Sequence, residues 1–220
     1  RLADARGRRR VFAAGLVLFG VASAACALAP DVGVLVAARA VQAVAAALLA
    51  PSSLALLLPA FSAERRGAAV GLWGATGGIA AATGPALGGV LVDAFGWRAV
   101  FLVNVPVVLV TLVVGRLVLA ESRDPDARLP DLLGVLLLGG GVALLSLGIV
   151  AGEDGGWLDA VGPLVGGVLL LVLFGVRSRR VERPLVEPAL FALRSFSGSV
   201  AGYLVFSAAF YALLLANILF

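Results

Sequence analysis

The sequence lacks several residue types on which protein chemistry often depends. Its 220 residues contain no histidine, no methionine and no lysine, and the only cysteine is Cys26. One cysteine excludes a disulfide within the chain, and the absence of histidine excludes a metal site of the histidine–cysteine kind. Aspartate and glutamate are missing from the middle of every apolar run, so a membrane enzyme would lack its intramembrane acids. We therefore predict a chain that is not an enzyme and holds no metal and no cofactor.

Charge is scarce, whereas long apolar runs are abundant. Only 14% of the residues are charged, against about a quarter in soluble domains, and 61% are hydrophobic. The mean hydropathy is +1.08. Seven apolar runs approach the roughly 20 residues that a helix needs to cross a bilayer. We predict an all-α transmembrane protein with spans at about 11–29, 33–58, 67–92, 99–119, 132–151, 160–176 and 197–220.

The arginines predict an orientation in the membrane. Apart from Arg39 and Arg98, the 17 basic residues lie on alternate connections between the apolar runs. By the positive-inside rule these connections are cytoplasmic, and their arginines set membrane orientation rather than bind nucleic acid. We expect a multi-pass protein of the cell membrane, with residue 1 cytoplasmic and residue 220 at the outer side. Because the chain begins within a loop and stops in an apolar run, we expect a fragment of a longer protein.

One charged residue, Arg39, lies inside the second apolar run. A central arginine costs about 2.5–3.5 kcal/mol to insert, so it normally faces the interior of a helix bundle and marks function. Gln42 follows one turn deeper on the same helix face. We interpret these two residues as an inward polar stripe that serves transport. The alternative is that Arg39 only extends its guanidinium to the lipid headgroups.

The third run has a helix face with almost no side-chain bulk. Glycine, alanine and proline recur there at steps of three and four, which places them on one face. A second helix can approach such a face closely in lipid, and Pro85 is expected to bend the helix. We predict a moving seam between helices; the alternative is ordinary glycine-rich transmembrane packing. The candidate residues of the seam are Gly74, Gly78, Gly84, Pro85, Gly88 and Gly89.

Four stretches resemble motifs of the major facilitator superfamily, in the order in which that family carries them. RLADARGRRR at 1–10 resembles the loop motif between its second and third spans, and RAVQAVAAALLAPSSLALL at 39–57 resembles its fourth-span motif. GATGGIAAATGPALGGVL at 74–91 resembles its fifth-span antiporter motif, and WRAVFLVNVP at 97–106 is typical of the branch of 14-span drug:proton antiporters. The resemblance implies a partial helical bundle of this superfamily, covering spans three to nine of fourteen.

The resemblance also implies roles for particular residues. Arg39 and Gln42 match the fourth-span motif, which implies a part in proton coupling, and Gly84, Pro85, Gly88 and Gly89 match the antiporter motif. The residues that match the loop motif, and so are expected to form a cytoplasmic gate, are Asp4, Gly7, Arg8 and Arg9. The chain departs from the family pattern at Ala5, where the loop motif usually has arginine, and at Ala43, where the fourth-span motif usually has glycine.

A division of the chain follows from the same resemblance. Residues 1–120 are expected to be the rest of an N-terminal six-helix bundle, and 121–195 a cytoplasmic linker, two extra central spans and a further cytoplasmic segment. Residues 196–220 would open the C-terminal bundle. Side chains of this last span are candidates for lining a substrate pocket, with core packing as the alternative. They are Tyr203, Phe206, Tyr211 and Asn217.

We therefore predict a proton-coupled efflux transporter that exports drugs or other amphipathic small molecules by alternating access. The expected partners are membrane lipid, the small-molecule substrate and protons, with no nucleic acid, and a monomer is expected. Because no acid lies in the middle of a run, the proton-carrying carboxylate is expected outside this chain. The alternatives are a facilitator, a lipid or metabolite exporter on the same fold, and a fragment that does not transport by itself.

Overall fold

The computed structural model describes residues 2–123, 131–154, 156–181 and 184–219, and within these ranges the side chains at 153, 154, 188, 214, 215 and 217–219 are left aside. The described residues form helices and connections, without a β-strand. The α-helices are α1 (Leu2–Arg6), α2 (Arg8–Ala27), α3 (Val32–Leu57), α4 (Arg66–Phe95), α5 (Ala99–Leu102), α6 (Asn104–Val118), α7 (Leu132–Asp154), α8 (Trp157–Arg180) and α9 (Arg194–Leu219). Short 3₁₀ helices cover Leu58–Ala60, Ala63–Arg65 and Pro188–Ala192.

Seven helical segments in the described residues are long and apolar enough to cross a membrane, which confirms the predicted fold class. One of them combines α5 and α6 over Ala99–Val118, because the backbone turns only briefly between the two helices. The predicted spans agree with these segments to within a few residues at most ends. The segments are Arg8–Ala27, Val32–Ala60, Ala63–Phe95, Ala99–Val118, Leu132–Gly152, Trp157–Arg180 and Arg194–Leu213.

Three long helices each contain a proline that does not end them: Pro51 in α3, Pro85 in α4 and Pro163 in α8. Helix α3 continues through Pro51 and ends only at Leu57, next to the 3₁₀ turn that contains Pro59. Helix α4 continues through Pro85 to Phe95. Each proline removes one backbone hydrogen bond, a loss that transmembrane helices tolerate when neighbouring groups compensate. Pro59 therefore lies at the end of its helix, whereas Pro51 lies within it.

The chain divides into two compact units, and the first is Arg1–Arg128. Helix α2 is its centre, with α3 and α6 packed against it. Small side chains make this close packing possible: Ser23 and Cys26 are fully buried, and Val108 of α6 lies against Gly20, where an added Cβ would be 3.0 Å from its Cγ1. The core of this unit therefore consists mostly of small residues on α2 and α3, with Val11, Leu16 and Val108 as larger apolar side chains.

The second unit is Leu129–Phe220, and its best-packed part is the hairpin of α7 and α8. The helices approach closely at two glycines, since a Cβ on Gly167 would lie 2.9 Å from the carbonyl oxygen of Gly141. Leucines fill the space beside them, with Leu145 against Gly167 and Leu171 against Gly141. Backbone-to-backbone contact of this kind is how small residues join helices in lipid. The predicted division at 120/121 and 195/196 is a statement about function and stays a prediction.

An ion pair closes one end of this hairpin. Arg177, in the last turn of α8, donates from Nε and Nη2 to the two carboxylate oxygens of Asp131, both at 2.8 Å. Asp131 directly precedes α7, and its carbonyl oxygen accepts the amide of Val135. The hydrogen bonds from Arg177 hold the pKa of the Asp131 carboxyl below its ordinary value of 3.8. The pair thus joins the start of one span to the end of the next.

The close contact between α7 and α8 predicts the effect of adding one methyl group. Gly167→Ala should destabilise the protein by about 1–3 kcal/mol, because the new Cβ would overlap the backbone of α7. Gly175→Ala on the same helix is the control, since its Cβ would have no neighbour within 4 Å among the described residues and alanine favours the helix. Thermal unfolding of the two purified variants in detergent measures the difference. Equal melting temperatures would contradict the close approach.

The Asp131–Arg177 pair predicts a pH dependence of stability. Because folding lowers the pKa of Asp131, its stabilisation is present above the ordinary value of 3.8 and is lost as the pH falls through the lower folded value. Asp131→Asn should therefore melt below the wild type at pH 7, and the difference should shrink as the pH falls below about 3.8. Asp93→Asn, at an exposed position of α4, is the matched control. A pH-independent difference would show that the ion pair does not stabilise the hairpin.

Candidate functional site

A chain of polar side chains crosses from α3 to α2 inside the first unit. Arg39 donates from Nη1 to Oε1 of Gln42 at 2.6 Å, and Gln42 donates from Nε2 to Oγ of Ser23 at 2.7 Å. Gln42 is 4% exposed and Ser23 is completely buried. Each polar group on the way therefore has a partner, as burial requires. The Gln42 amide thus connects the Arg39 guanidinium on α3 to the Ser23 hydroxyl on α2. This connection fixes the direction in which the guanidinium points.

Aromatic rings extend this polar chain to the connection between α4 and α6. The Arg39 guanidinium carbon lies 5.8 Å from the ring centroid of Phe101, which meets Trp97 edge to face at 6.1 Å. Arg98 lies over the Trp97 ring at 4.4 Å and donates from Nη2 to the carbonyl oxygen of Ala29, just beyond α2. Distances of this order are typical of cation–π contacts. Sequence reasoning did not connect these aromatics with Arg39, because Trp97 precedes α5 and the contact between Phe101 and Arg39 joins separate helices.

The position of Arg39 agrees with only part of the expectation. Its guanidinium bonds to Gln42, one turn further along α3, rather than extending to the near end of the helix at Val32. This favours the polar-stripe interpretation over simple contact with headgroups. Arg39 is nevertheless exposed when only the described residues surround it. Its predicted location inside a complete helix bundle stays a prediction.

The residues of the predicted loop gate do come together. Asp4 and Arg8 form an ion pair, with Nε of Arg8 donating to Oδ1 of Asp4 at 2.8 Å. Arg8 also donates from Nη1 to the carbonyl oxygen of Ala55 on α3 at 3.4 Å, and its backbone amide bonds to the carbonyl oxygen of Ser122. Arg9 donates from Nη2 to the carbonyl oxygen of Arg116 at 3.2 Å. This cluster therefore ties the start of α2 to α3 and to the end of α6.

Glu121 completes the cluster, and sequence reasoning missed it. Its Oε1 accepts the backbone amide of Arg9 at 3.1 Å, which satisfies one of the unpaired amides at the start of α2. Its Oε2 lies 3.7 Å from Nε of Arg10. Gly7 makes room for the carboxylate: its φ is 105°, and a Cβ there would lie 2.9 Å from Oε1 of Glu121. The sequence showed Glu121 only as the first residue of a charged linker, because capping across 112 residues leaves no local pattern.

The predicted glycine seam has no facing helix among the described residues. A Cβ added at Gly74, Gly78, Gly84, Gly88 or Gly89 would meet no atom within 4 Å in the described structure. Helix α4 is attached mainly through its ends and through Trp73, whose Nε1 donates to Oγ of Ser53 on α3 at 3.2 Å. The seam therefore stays a prediction about surfaces beyond these residues.

The proposed substrate-lining side chains of α9 are exposed in the described structure. Tyr203, Phe206 and Tyr211 are all more than half exposed. Phe206 stacks on Phe210 at 6.1 Å, and Phe210 meets Tyr211 edge to face at 5.6 Å. The side chain of Asn217 lies outside the described residues. These contacts form an aromatic ladder along α9, and its role as a pocket lining stays a prediction.

Comparison with known proteins places this geometry in a family. The whole chain, residues 1–220, matches the sequence profile of the Major Facilitator Superfamily. It is 44% identical over 202 residues to the puromycin resistance protein pur8 of Streptomyces alboniger, which covers 90% of this chain and 40% of that protein. It is 37% identical over 217 residues to the multidrug resistance protein Stp of Mycobacterium tuberculosis, covering 97% of this chain and 40% of Stp.

A further relative is the drug efflux pump JefA of Mycobacterium tuberculosis, 37% identical over 220 residues, with 97% of this chain and 43% of the pump covered. The chain thus spans about two-fifths of the length of these curated relatives. The family match and the seven membrane-length helices describe a multi-pass membrane protein of a transporter family. The chain belongs to the major facilitator superfamily.

Proposed function

We propose that this chain is part of a proton-coupled transporter that exports drugs or other amphipathic small molecules across the cell membrane. The relatives' names, a puromycin resistance protein, a multidrug resistance protein and a drug efflux pump, support export as the activity. The partners in this proposal are membrane lipid, the small-molecule substrate and protons, and the working unit is a monomer. Alternating access between two helix bundles provides the movement.

The observation that carries this proposal is the polar chain from Ser23 through Gln42 to Arg39. An arginine has five N–H donors, and Gln42 accepts from one of its nitrogens. Because Arg39 is otherwise exposed in the described structure, further donors are available to a carboxylate of the transporter. A guanidinium close to such a carboxylate favours its ionised form and lowers its pKa. Arg39 would thus make proton release depend on how near the two groups are.

The proton-carrying carboxylate itself belongs to another part of the transporter in this proposal. Among the described residues, no aspartate or glutamate lies in the middle of a membrane-length helix. Asp31 caps α3 by accepting the amide of Val34 at 2.9 Å, and Asp93 lies in the last turn of α4. An acid that stays at a helix end is already hydrated. Neither Asp31 nor Asp93 is therefore placed to carry a proton through the interior of the bilayer.

The loop cluster serves as a gate on the cytoplasmic side in this proposal. Asp4, Arg8 and Glu121 join three helix ends through short hydrogen bonds and ion pairs. Such polar contacts break and re-form without moving a packed core, which suits a closure that opens in each cycle. The side assignment rests on the arginine-rich connections, which face the cytoplasm by the positive-inside rule.

Substitution of Arg39 tests its role in proton coupling. Arg39→Ala removes the cation and its hydrogen bond to Gln42, and should lower proton-driven export of an antibiotic substrate by about tenfold or more. Arg65→Ala is the matched control, since Arg65 is exposed and lies outside the polar chain. Efflux is measured in cells producing equal amounts of each variant, with and without a proton ionophore. If the ionophore does not reduce export by the wild type, the protein is a facilitator and not a proton antiporter. If Arg39→Ala exports at the wild-type rate, Arg39 has no role in proton coupling.

Substitution of Gly88 tests whether another helix moves across the glycine face of α4. Gly88→Leu should leave folding of the described units intact, since a Cβ at this position would meet no atom within 4 Å there. It should reduce transport severely, because the added bulk would obstruct a helix that slides across that face. Ala86→Leu, two residues away and near the opposite face, is the control. Melting temperature and efflux are measured together for both variants. Wild-type turnover of Gly88→Leu would show that no helix crosses this face during transport.

A further inference from the structure

An open groove of about 340 Å³ runs along the outside of α6 in the first unit, and Phe12 of α2 forms one side of it. This volume is in the range of sites that hold small molecules. Its walls are apolar, and its one polar side chain, Thr111, is turned to its own helix by donating to the carbonyl oxygen of Val107 at 2.7 Å. The groove therefore offers a surface for hydrocarbon. Its lining residues are Phe12, Val110, Thr111, Val114, Gly115, Val118 and Leu119.

Two arginines lie at one end of this groove. A smaller cavity continues it at the start of α2 and the end of α6, and Arg9 and Arg116 line that cavity. The two residues are adjacent, since Nη2 of Arg9 donates to the carbonyl oxygen of Arg116 at 3.2 Å. Arg9 is the second residue of α2 and Arg116 lies in the last turn of α6, so both mark the end of a span. Residues at such positions lie near the level of the lipid headgroups.

Among the described residues, neither guanidinium forms an ion pair with a carboxylate. Glu121 accepts the backbone amide of Arg9 and lies 3.7 Å from Arg10. The exposed side chain of Arg116 makes no hydrogen bond or ion pair within the part of the chain that the structure describes. A guanidinium binds phosphate oxygens in a paired, planar arrangement. Two guanidiniums at the mouth of an apolar groove therefore match a ligand with an anionic head and a hydrocarbon tail.

We propose that this groove binds an anionic phospholipid, with one acyl chain along α6 and the phosphate at Arg9 and Arg116. The arrangement places the tail on Val110 and Val114 and the head at the last turn of α6, which contains Arg116. Charge selects the lipid, since a zwitterionic headgroup neutralises its own phosphate. This binding site goes beyond the proposed export function and does not depend on it.

Lipid titration of the purified intact protein in detergent, followed by native mass spectrometry, tests the proposal. The probes are phosphatidylglycerol and phosphatidylcholine with identical acyl chains. The wild type should bind phosphatidylglycerol about tenfold more tightly, and Arg116→Gln should bring the two lipids close together. Gly115→Leu fills the groove floor and should weaken the binding of both lipids while both arginines remain.

The controls separate this site from general attraction to a basic surface. Arg65→Gln together with Arg66→Gln removes two exposed arginines elsewhere in the first unit and should leave the lipid preference unchanged. Glycerol 3-phosphate, which has the head without the tail, should not displace bound phosphatidylglycerol. Equal binding of the two lipids by the wild type would overturn the proposal. An unchanged preference in Arg116→Gln, or an equal loss in the Arg65/Arg66 variant, would do the same.

Discussion

The structure of the first unit depends on keeping one buried amide fully hydrogen-bonded. Gln42 is nearly inaccessible, and an unpaired amide at such a depth would be costly. Its nitrogen is satisfied by Ser23 of α2 and its oxygen by Arg39 of α3. Because both bonds are needed, the register between the two helices and the direction of the guanidinium are determined together. The conformation of an otherwise exposed arginine thus follows from packing that lies one turn below it.

Close packing of small residues makes this arrangement possible. Ser23 and Cys26 occupy buried positions on α2 where larger side chains would separate the helices. Glycine plays the same part between α7 and α8, where the backbones of Gly141 and Gly167 nearly touch. In lipid, association of helices relies on such contacts and on hydrogen bonds, since lipid tails are as apolar as the side chains. Small residues therefore allow close helix packing in both units, although the residues differ.

Much of this could be predicted from sequence, and the remainder could not for definable reasons. Hydropathy and arginine spacing predict the seven spans, because bilayer thickness imposes a length on every helix. The stripe of Arg39 and Gln42 also follows from helical periodicity, whereas its extension to Phe101 does not, because that contact joins separate helices. The contact of Glu121 with the start of α2 could not be predicted for the same reason. The continuation of α3 through Pro51 could not be predicted either, since tertiary surroundings decide how a helix accommodates proline.

The contact between Glu121 and the start of α2 has a consequence for biosynthesis. A polypeptide emerges from the ribosome with its N-terminal end first, and Glu121 follows Arg9 by 112 residues. The carboxylate partner of the Arg9 amide is therefore made only after α6 has been translated. Until then, water or lipid headgroup oxygens accept the hydrogen bond of the Arg9 amide. Gly7, whose φ is positive, leaves space for the carboxylate of Glu121 until that residue is made. The first unit is therefore completed only near the end of its own translation.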